Sequence, residues 1–366
     1  MSKFYVIVPI VVGLLIVLGT RNTNDYLISP GNATPVAPLV KIHGVATNPT
    51  HDEIMLADVY EQQLNYFGWI KAHFQSHVQI ITASQLVEPG IPLDELLSQG
   101  FLQMSDAKQA AETAAFRAVG WSVPATRTGT VVTAVVAPSP ARSAGVHVGD
   151  EIVGVNNTTI RSGCQLIASV HSLAPGTALT LHVHAVKISN SGVLTYGASI
   201  IVKVATAKAP ANVASSGCPG VTGVDRSYLG VAVEDGFSYK LPATVSINTA
   251  SIGGPSAGLA MTLTLINELT RGSLTGHHVI AVTGTIDAQG NVGPVGGVEQ
   301  KAVAVARAGA SYFFVPDSGG DVAAARDARQ TGLKIIPVTT LQQVLSELRS
   351  LGGAKPQPVT KPSSAL

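Results

Sequence analysis

The sequence predicts an α+β protein with more than one domain. Three observations carry that reading. From about residue 229 onward, short Val/Ile-rich runs alternate with helical patterns, as α/β and α+β folds do. Between Thr130 and Val204 most runs are strand-like, with few residues left for helix. The chain has 366 residues, more than one average domain needs. Only 12% of residues are charged, and Lys+Arg 23 against Asp+Glu 22 leave a net charge of +1. A chain so poor in charge and rich in Val, Ala, Leu and Ile is not disordered by composition. With no basic run and no charge surplus it is not a nucleic-acid binder. Its 2 cysteines build neither a disulfide scaffold nor a four-cysteine zinc site.

In chain order, the first element is Phe4–Thr20 (FYVIVPIVVGLLIVLGT), 17 residues without a charge, flanked by Lys3 and Arg21. That length reaches the lower limit for a transmembrane helix. No small-residue cleavage site follows the run, so an uncleaved anchor over residues 1–22 is favoured over a removed signal peptide. No second run of this kind occurs, which places the remaining chain on one side of the membrane, outside the cytoplasm. Oxidation is permitted there. Cys164 and Cys218 then either pair or remain two separate buried side chains.

Asp25–Gly44 is Pro/Gly-punctuated and then β-like, and Asp52–Ser76 reads as partly helical. Met104–Val119 has helical Ala spacing, with Ser105 placed to cap it and Gly120 to stop it. Thr130–Val136 is a strand. A strand–turn–short helix–turn–strand pattern follows to Ile160, then a helix over Gln165–Leu173 and strands at Leu179–Val186 and Ser199–Val204. Pro210–Gly223 reads as a linker. Beyond it come strands at Leu229–Val233 and Thr244–Ile247, a helix at Ser256–Leu269, a strand at Val279–Val282 and a Gly-rich hairpin. Helices at Val298–Ala308, Asp321–Gln330 and Thr340–Leu351 alternate with strands at Tyr312–Val315 and Lys334–Val338. Residues 352–366 have too few large apolar side chains to pack and read as a disordered tail.

Two segments carry chemistry. In Ser251–Met261 (SIGGPSAGLAM), glycines flank Pro255–Ser256 and a helix rich in small and apolar residues follows at once. A nucleophilic serine needs such a tight turn with free backbone N–H groups. The same pattern also describes an ordinary serine-capped helix entry. In Gly290–Ala308 (GNVGPVGGVEQKAVAVARA), Lys301 sits on a helix and leads into an apolar run. A lysine held among apolar side chains loses the hydration of its ammonium form and becomes a general base. The bland alternative is a surface lysine near the start of an amphipathic helix. No G-x-x-x-x-G-K-[ST] motif and no H-E-x-x-H motif is present, which argues against ATP and against a catalytic metal. His182, His184, His277 and His278 read as strand and loop residues. No cofactor and no metal site is expected.

Together the two segments resemble the proteolytic domain of the Lon protease family. GGPSAGLAM is similar to that family's nucleophile motif, and TGTIDAQGNVGPVGGVEQKAVAVARAGASYFFVP to its lysine region. Lys301 stands 45 residues after Ser256. The resemblance implies a mixed sheet with helices and a Ser256–Lys301 dyad. Backbone at Gly254 and Ala257 would hold the oxyanion or the substrate main chain. Gly253 stands where many members have an acidic residue, and Thr285 where many have Glu. Hexameric rings in the family imply a homo-oligomer.

The stretch VVTAVVAPSPARSAGVHVGDEIVGVNNTTI resembles a PDZ domain through Pro140, Ala141, Ala144, Gly145, Gly149, Asp150 and Ile152. That implies a small β-rich module that binds extended peptides. The resulting division is an anchor (1–22), an N-terminal segment (23–125), a PDZ-like domain (126–208), a Lon-type domain (209–351) and the tail. Met104–Val119 resembles the stretch that precedes the serine in Lon domains. Residues of about 35–120 therefore read as the first part of a protease domain into which the PDZ module is inserted. The combined expectation is a membrane-anchored, ATP-independent serine endopeptidase that acts outside the cytoplasm on unfolded or flexible proteins. The alternative is an inactive PDZ-based adaptor or holdase.

Overall fold

A computed structural model describes residues 18–48, 52–86, 91–92, 95–189, 193–210, 218, 226–249 and 252–359. The apolar run Phe4–Thr20 lies outside these residues except for its last three. Among the described residues no helix is long and apolar enough to cross a membrane. The chain divides into two compact units. The first gathers the residues up to Leu39, Thr47–Glu88 and Ser256–Val359. The second gathers Val40–Ala46 and Pro89–Pro255. Strands and helices are numbered in chain order.

The first unit is built on a mixed sheet. Three of its strands come from the N-terminal segment: β1 (Asn22–Pro35), β3 (Ile54–Asn65) and β4 (Gln79–Thr82). Three come from the C-terminal segment: β14 (Ile280–Val282), β17 (Tyr312–Pro316) and β18 (Lys334–Val338). Their order is β18-β17-β14-β3-β1-β4. The first four run parallel, with Ile280 opposite Ile54 and Val282 opposite Leu56, and β1 is antiparallel to β3 and β4. β3 occupies sequence that reads as partly helical. Its first four residues are buried, and only the following Tyr66–Ala72 forms helix α1, capped by the Asn65 side chain. Pairing on both edges overrides the local helical preference there.

Short α2 (Ala83–Leu86) follows β4, and hairpin β15 (Thr285–Ile286)–β16 (Val292–Gly293) follows β14. Three further helices, α7 (Val298–Arg307), α8 (Asp321–Asp327) and α9 (Leu341–Ser350), alternate with the C-terminal strands. α7 packs on β1 and β3. One core cluster joins Met55 and Ala57 to Ala281, Val298, Ala302 and Phe313. Helix α6 (Gly258–Leu269) is buried along nearly its whole length. The expected disordered tail is corrected in part. Arg271, Ala354 and Val359 make backbone hydrogen bonds that tie residues 354–359 to Leu269–Ser273. Residues 360–366 lie outside the described set.

The second unit carries the antiparallel order β12-β5-β6-β8-β9, with β7 beside β6. These are β5 (Ala125–Val135), β6 (Glu151–Val155), β7 (Thr158–Thr159), β8 (Ala178–Ile188), β9 (Leu194–Ala205) and β12 (Val231–Tyr239). Two small pairs accompany it: β2 (Val40–His43) with β13 (Thr244–Ile247), and β10 (Ala207–Lys208) with β11 (Ser227–Tyr228). Its helices are α3 (Leu96–Ala118), α4 (Pro140–Ser143) and α5 (Gly163–His171). Val132, Val135, Ala141, Ile152, Leu166 and Leu181 lie at the centre of its core.

Two expectations change here. The helix expected from Met104 starts at Leu96, so Ser105 is interior rather than a cap. Its Leu102 joins the second unit's core, not the first's. The division of units falls after Pro255 rather than after residue 208, because β12 pairs along the length of β5. Cys164, in the first turn of α5, and Cys218 are disulfide-bonded across 54 residues.

A fragment 209–351 lacks β1, β3 and β4. It leaves one edge of β14 unpaired and the face of α7 without its partners. It is expected to be unfolded by circular dichroism and to be without peptidase activity. A Cys164→Ser/Cys218→Ser variant loses a loop constraint worth about 4 kcal/mol. It is expected to unfold at a correspondingly lower urea concentration.

Candidate active site

The serine lies in the 3-10 turn Pro255–Ala257 that enters α6. Ser256 is half-buried, while Ala257 and everything up to Leu265 are buried. The first-turn N–H groups of a helix have no helical acceptor, so the N–H of Ala257 belongs to a donor set free for an incoming oxygen. Gly254 differs. Its N–H donates to the Gly100 carbonyl at 2.8 Å, which leaves it no donor for an oxyanion. It adopts a left-handed φ of 85°, where its contribution is backbone shape.

Lys301 is the fourth residue of α7. The helix begins behind Gly297, whose φ of 66° is left-handed, and a Cβ there would stand 2.8 Å from Val59 Cγ1. Glycine thus lets α7 approach β3 closely, which drives Lys301 inward. The side chain is 3% exposed. Burial lowers the amine's pKa to about 8, against the opposing pull of Asp321, Asp58 and Glu61. Asp58 and Asp321 are themselves pushed upward by burial. Each is partly restored by a backbone N–H, from Asn32 and Val295 respectively, and by Lys301. The site therefore holds one amine that gives up its proton easily and acids that keep it from doing so too easily.

Thr283 connects the two segments. Fully buried at the end of β14, it accepts a hydrogen bond from Lys301 Nζ at 3.4 Å and donates to the Ser256 carbonyl at 3.4 Å. The N–H of Gly284 also donates to Ser256 O at 2.9 Å, and that of Leu259 to Gly284 O at 3.1 Å. Among the described residues no hydrogen bond joins Ser256 Oγ directly to Lys301 Nζ. Catalytic contacts in unliganded sites are often longer than in the working complex. Thr285 faces Gly293 across the β15–β16 hairpin.

In sequence Thr285 stands out in T-G-T-I, whereas nothing local marks Thr283, two residues earlier. No local motif marks Asp58 and Asp321 either. Among the described residues no group of His, Cys, Asp and Glu forms a metal site. His184 pairs with Glu151, and His182 bonds the Asn156 carbonyl.

In the second unit, β12 ends the sheet and α5 lies beside it. The N–H of Gly163 donates to Asp235 at 2.8 Å. The turn before β12 is pinned by bonds from Ala141 N–H to Leu229 O and from Val136 N–H to Gly230 O, both 2.9 Å. Gly230 has a φ of 82°, and a Cβ there would collide with Ser139. A sheet end beside a helix is where an extended peptide adds as a strand. The signal in sequence was Tyr228-Leu229-Gly230-Val231, a turn glycine opening a strand.

Residues 246–350 match the family model of the Lon protease (S16) C-terminal proteolytic domain, and residues 107–185 that of the PDZ domain. The matched C-terminal domain is that of a serine-type peptidase. The Lon protease of Azospirillum brasilense is 39% identical over 93 residues, which is 25% of this chain and 11% of that protein. The Lon protease of Rickettsia bellii is 30% identical over 118 residues, 32% of this chain and 15% of that protein. The chain thus spans only 11% to 15% of the length of these relatives. The crystal structure of the PDZ domain of an SdrC-like protein from Listeria monocytogenes aligns at a TM-score of 0.21 and 16% identity. It covers 30% of this chain and 90% of that one.

Thr283→Val keeps the shape and removes the hydroxyl that receives the amine. We expect kcat to fall roughly tenfold with KM little changed, because positioning is lost while binding is kept. Steady-state kinetics on an unfolded protein substrate checks this.

Proposed function

We propose that this protein is an ATP-independent serine endopeptidase that cleaves unfolded or flexible proteins with a Ser256–Lys301 dyad. The observation that carries the reading is a buried lysine with a pKa of about 8, bonded through one threonine to the turn of a serine at a helix entrance. In this reading Ser256 Oγ attacks the peptide carbonyl carbon while Lys301 Nζ takes its proton. The developing oxyanion accepts from the Ala257 N–H. The ammonium then protonates the leaving amine as the C–N bond breaks, and the serine ester remains. A water, deprotonated by Lys301, hydrolyses the ester and restores the serine. The first unit is the proteolytic domain, with the PDZ-containing second unit inserted in its chain. That second unit binds extended substrate segments along β12.

The absence of a P-loop in the sequence supports independence from ATP, and leaves substrates that need no unfolding motor. The chain is anchored by Phe4–Thr20 with its bulk outside the cytoplasm. The Cys164–Cys218 disulfide supports an oxidising compartment. Ring-forming self-association belongs to the same reading.

Two measurements test it. Ser256→Ala and Lys301→Ala are each expected to lower casein cleavage by on the order of 10³-fold or more. Equal cleavage by all three proteins would sink the dyad, and no cleavage by the unaltered chain would leave a binding adaptor instead. The base must be neutral, and the amine is protonated below its pKa. Hence kcat/KM should rise with pH and level off above an inflection near pH 8. Asp58→Asn removes a charge that favours the ammonium, and should move that inflection to lower pH.

A further inference from the structure

Helix α1 presents an apolar face that stays exposed among the described residues. Tyr66, Phe67, Trp69 and Ile70 are 48%, 56%, 37% and 47% exposed, and Phe74, just past the helix end, is 87% exposed. Scattered exposed apolar residues are ordinary, but a contiguous aromatic group of this size marks an interaction surface. Its charged groups are few: Lys71 on the helix, and Asp25 of β1, which meets Trp69. From Gln62 to Val87 the sequence contains no Asp or Glu, and the one full charge on α1 is Lys71. Trp69 donates its indole N–H to Asp25 at 2.8 Å. The polar tip of the ring is thereby satisfied, and the ring, still partly exposed, also contacts the His73 ring at 4.1 Å between centroids.

The position of α1 identifies its occupant. Asn65, the cap of α1, donates from Nδ2 to the Gly19 carbonyl at 2.7 Å. The Tyr66 N–H donates to the Arg21 carbonyl at 3.3 Å, and Asn22 lies opposite Asn65 in the β1–β3 pair. The start of α1 is thus hydrogen-bonded to the residues at which the uncharged run Phe4–Thr20 ends. Tyr and Trp concentrate at the membrane–water boundary, where an amphipathic ring is best solvated, and a basic residue beside them favours anionic headgroups.

We propose that α1 docks on the interfacial layer of the bilayer in which the N-terminal run is inserted, and so lays this face of the first unit on the membrane. The proposal rests on the anchor reading given under Proposed function. Because the anchor holds α1 at the surface, weak interfacial affinity for each side chain is sufficient.

The 2 tryptophans are Trp69 and Trp121. Trp121 is buried against Phe116 with an indole N–H that has no partner, so Trp121→Phe removes an unsatisfied donor and keeps a ring. The full chain carrying Trp121→Phe is reconstituted into phosphatidylcholine–phosphatidylglycerol vesicles that contain lipids brominated either near the headgroup or at the chain end. Trp69 emission is expected to be quenched, and more strongly by bromine near the headgroup. Phe67→Ser/Phe74→Ser is expected to abolish the quenching while the protein still floats with the vesicles. If Trp121→Phe does not fold, the difference between the unaltered chain and Trp69→Phe gives the same signal.

A chain that floats with Trp69 unquenched overturns docking and leaves the anchor standing. A chain that does not float overturns the anchor and docking with it. Trp69 shielded only at high protein density, and unquenched on dilution, means that a second copy covers the face, and also overturns the proposal.

Discussion

The buried amine of Lys301 is the constraint from which most of the first unit follows. An ammonium held away from water loses hydration worth several kcal/mol, even after the surroundings relax. Burial shifts the balance toward the neutral amine, which is the form that accepts a proton. Burial alone would push the amine further still. Asp58, Asp321 and Glu61 oppose it, and the balance falls near pH 8. Each part of the surrounding structure serves this balance. Gly297 lets α7 approach Val59, α7 lies on β1 and β3, and Asp58 comes from β3 itself. A lysine on the same helix turned outward would keep an ordinary pKa and be almost wholly protonated even at about pH 8.

That arrangement places a demand on topology. The strands under α7 come from residues before 66, whereas α7 itself comes from residues after 297. β3 and β14 must find each other across more than two hundred residues and pair in parallel, which is slow and entropically costly when the intervening chain is loose. Here the intervening chain is not loose. Most of it belongs to a unit with its own core and a disulfide spanning 54 residues. Ordering that unit shortens the effective loop between the strands. On this argument the inserted unit helps the first one close, besides whatever it binds.

The candidate site was more legible in the sequence than the architecture. Ser256 and Lys301 are marked by local features, glycines that shape a turn and an apolar run around a charge, and such features survive folding unchanged. Helix α6 was equally plain. β3 was not, because its residues alternate poorly and its identity comes from partners on two edges. The placement of α3 in the second unit was also hidden, since an alanine-rich amphipathic helix carries no label for the core it joins. Thr283 and Asp58 were missed for one reason: their roles exist only once distant segments are brought together. Gly254 failed in the opposite sense. Its motif position is right for a donor, but the nearby Gly100 carbonyl has taken its N–H.

The low charge content takes on a definite physical cause. The uncharged stretch Leu241–Asn267 includes nearly all of α6, and that helix is buried on every side rather than on one stripe. A charge anywhere within it would be buried without a partner, at a cost far above the stabilisation that any single side chain contributes. The first charged residue is Glu268, next to the helix end, and even there burial raises its carboxyl pKa to about 7. Of the uncharged polar residues that do occur, Thr262 and Thr264 satisfy their hydroxyls on the carbonyls of Gly258 and Ala260 one turn back, and Asn267 accepts from the Leu274 N–H. A serine turn that must hold its backbone N–H groups rigidly is thus mounted on a helix fixed from all directions. The scarcity of charge around it is the compositional trace of that fixation.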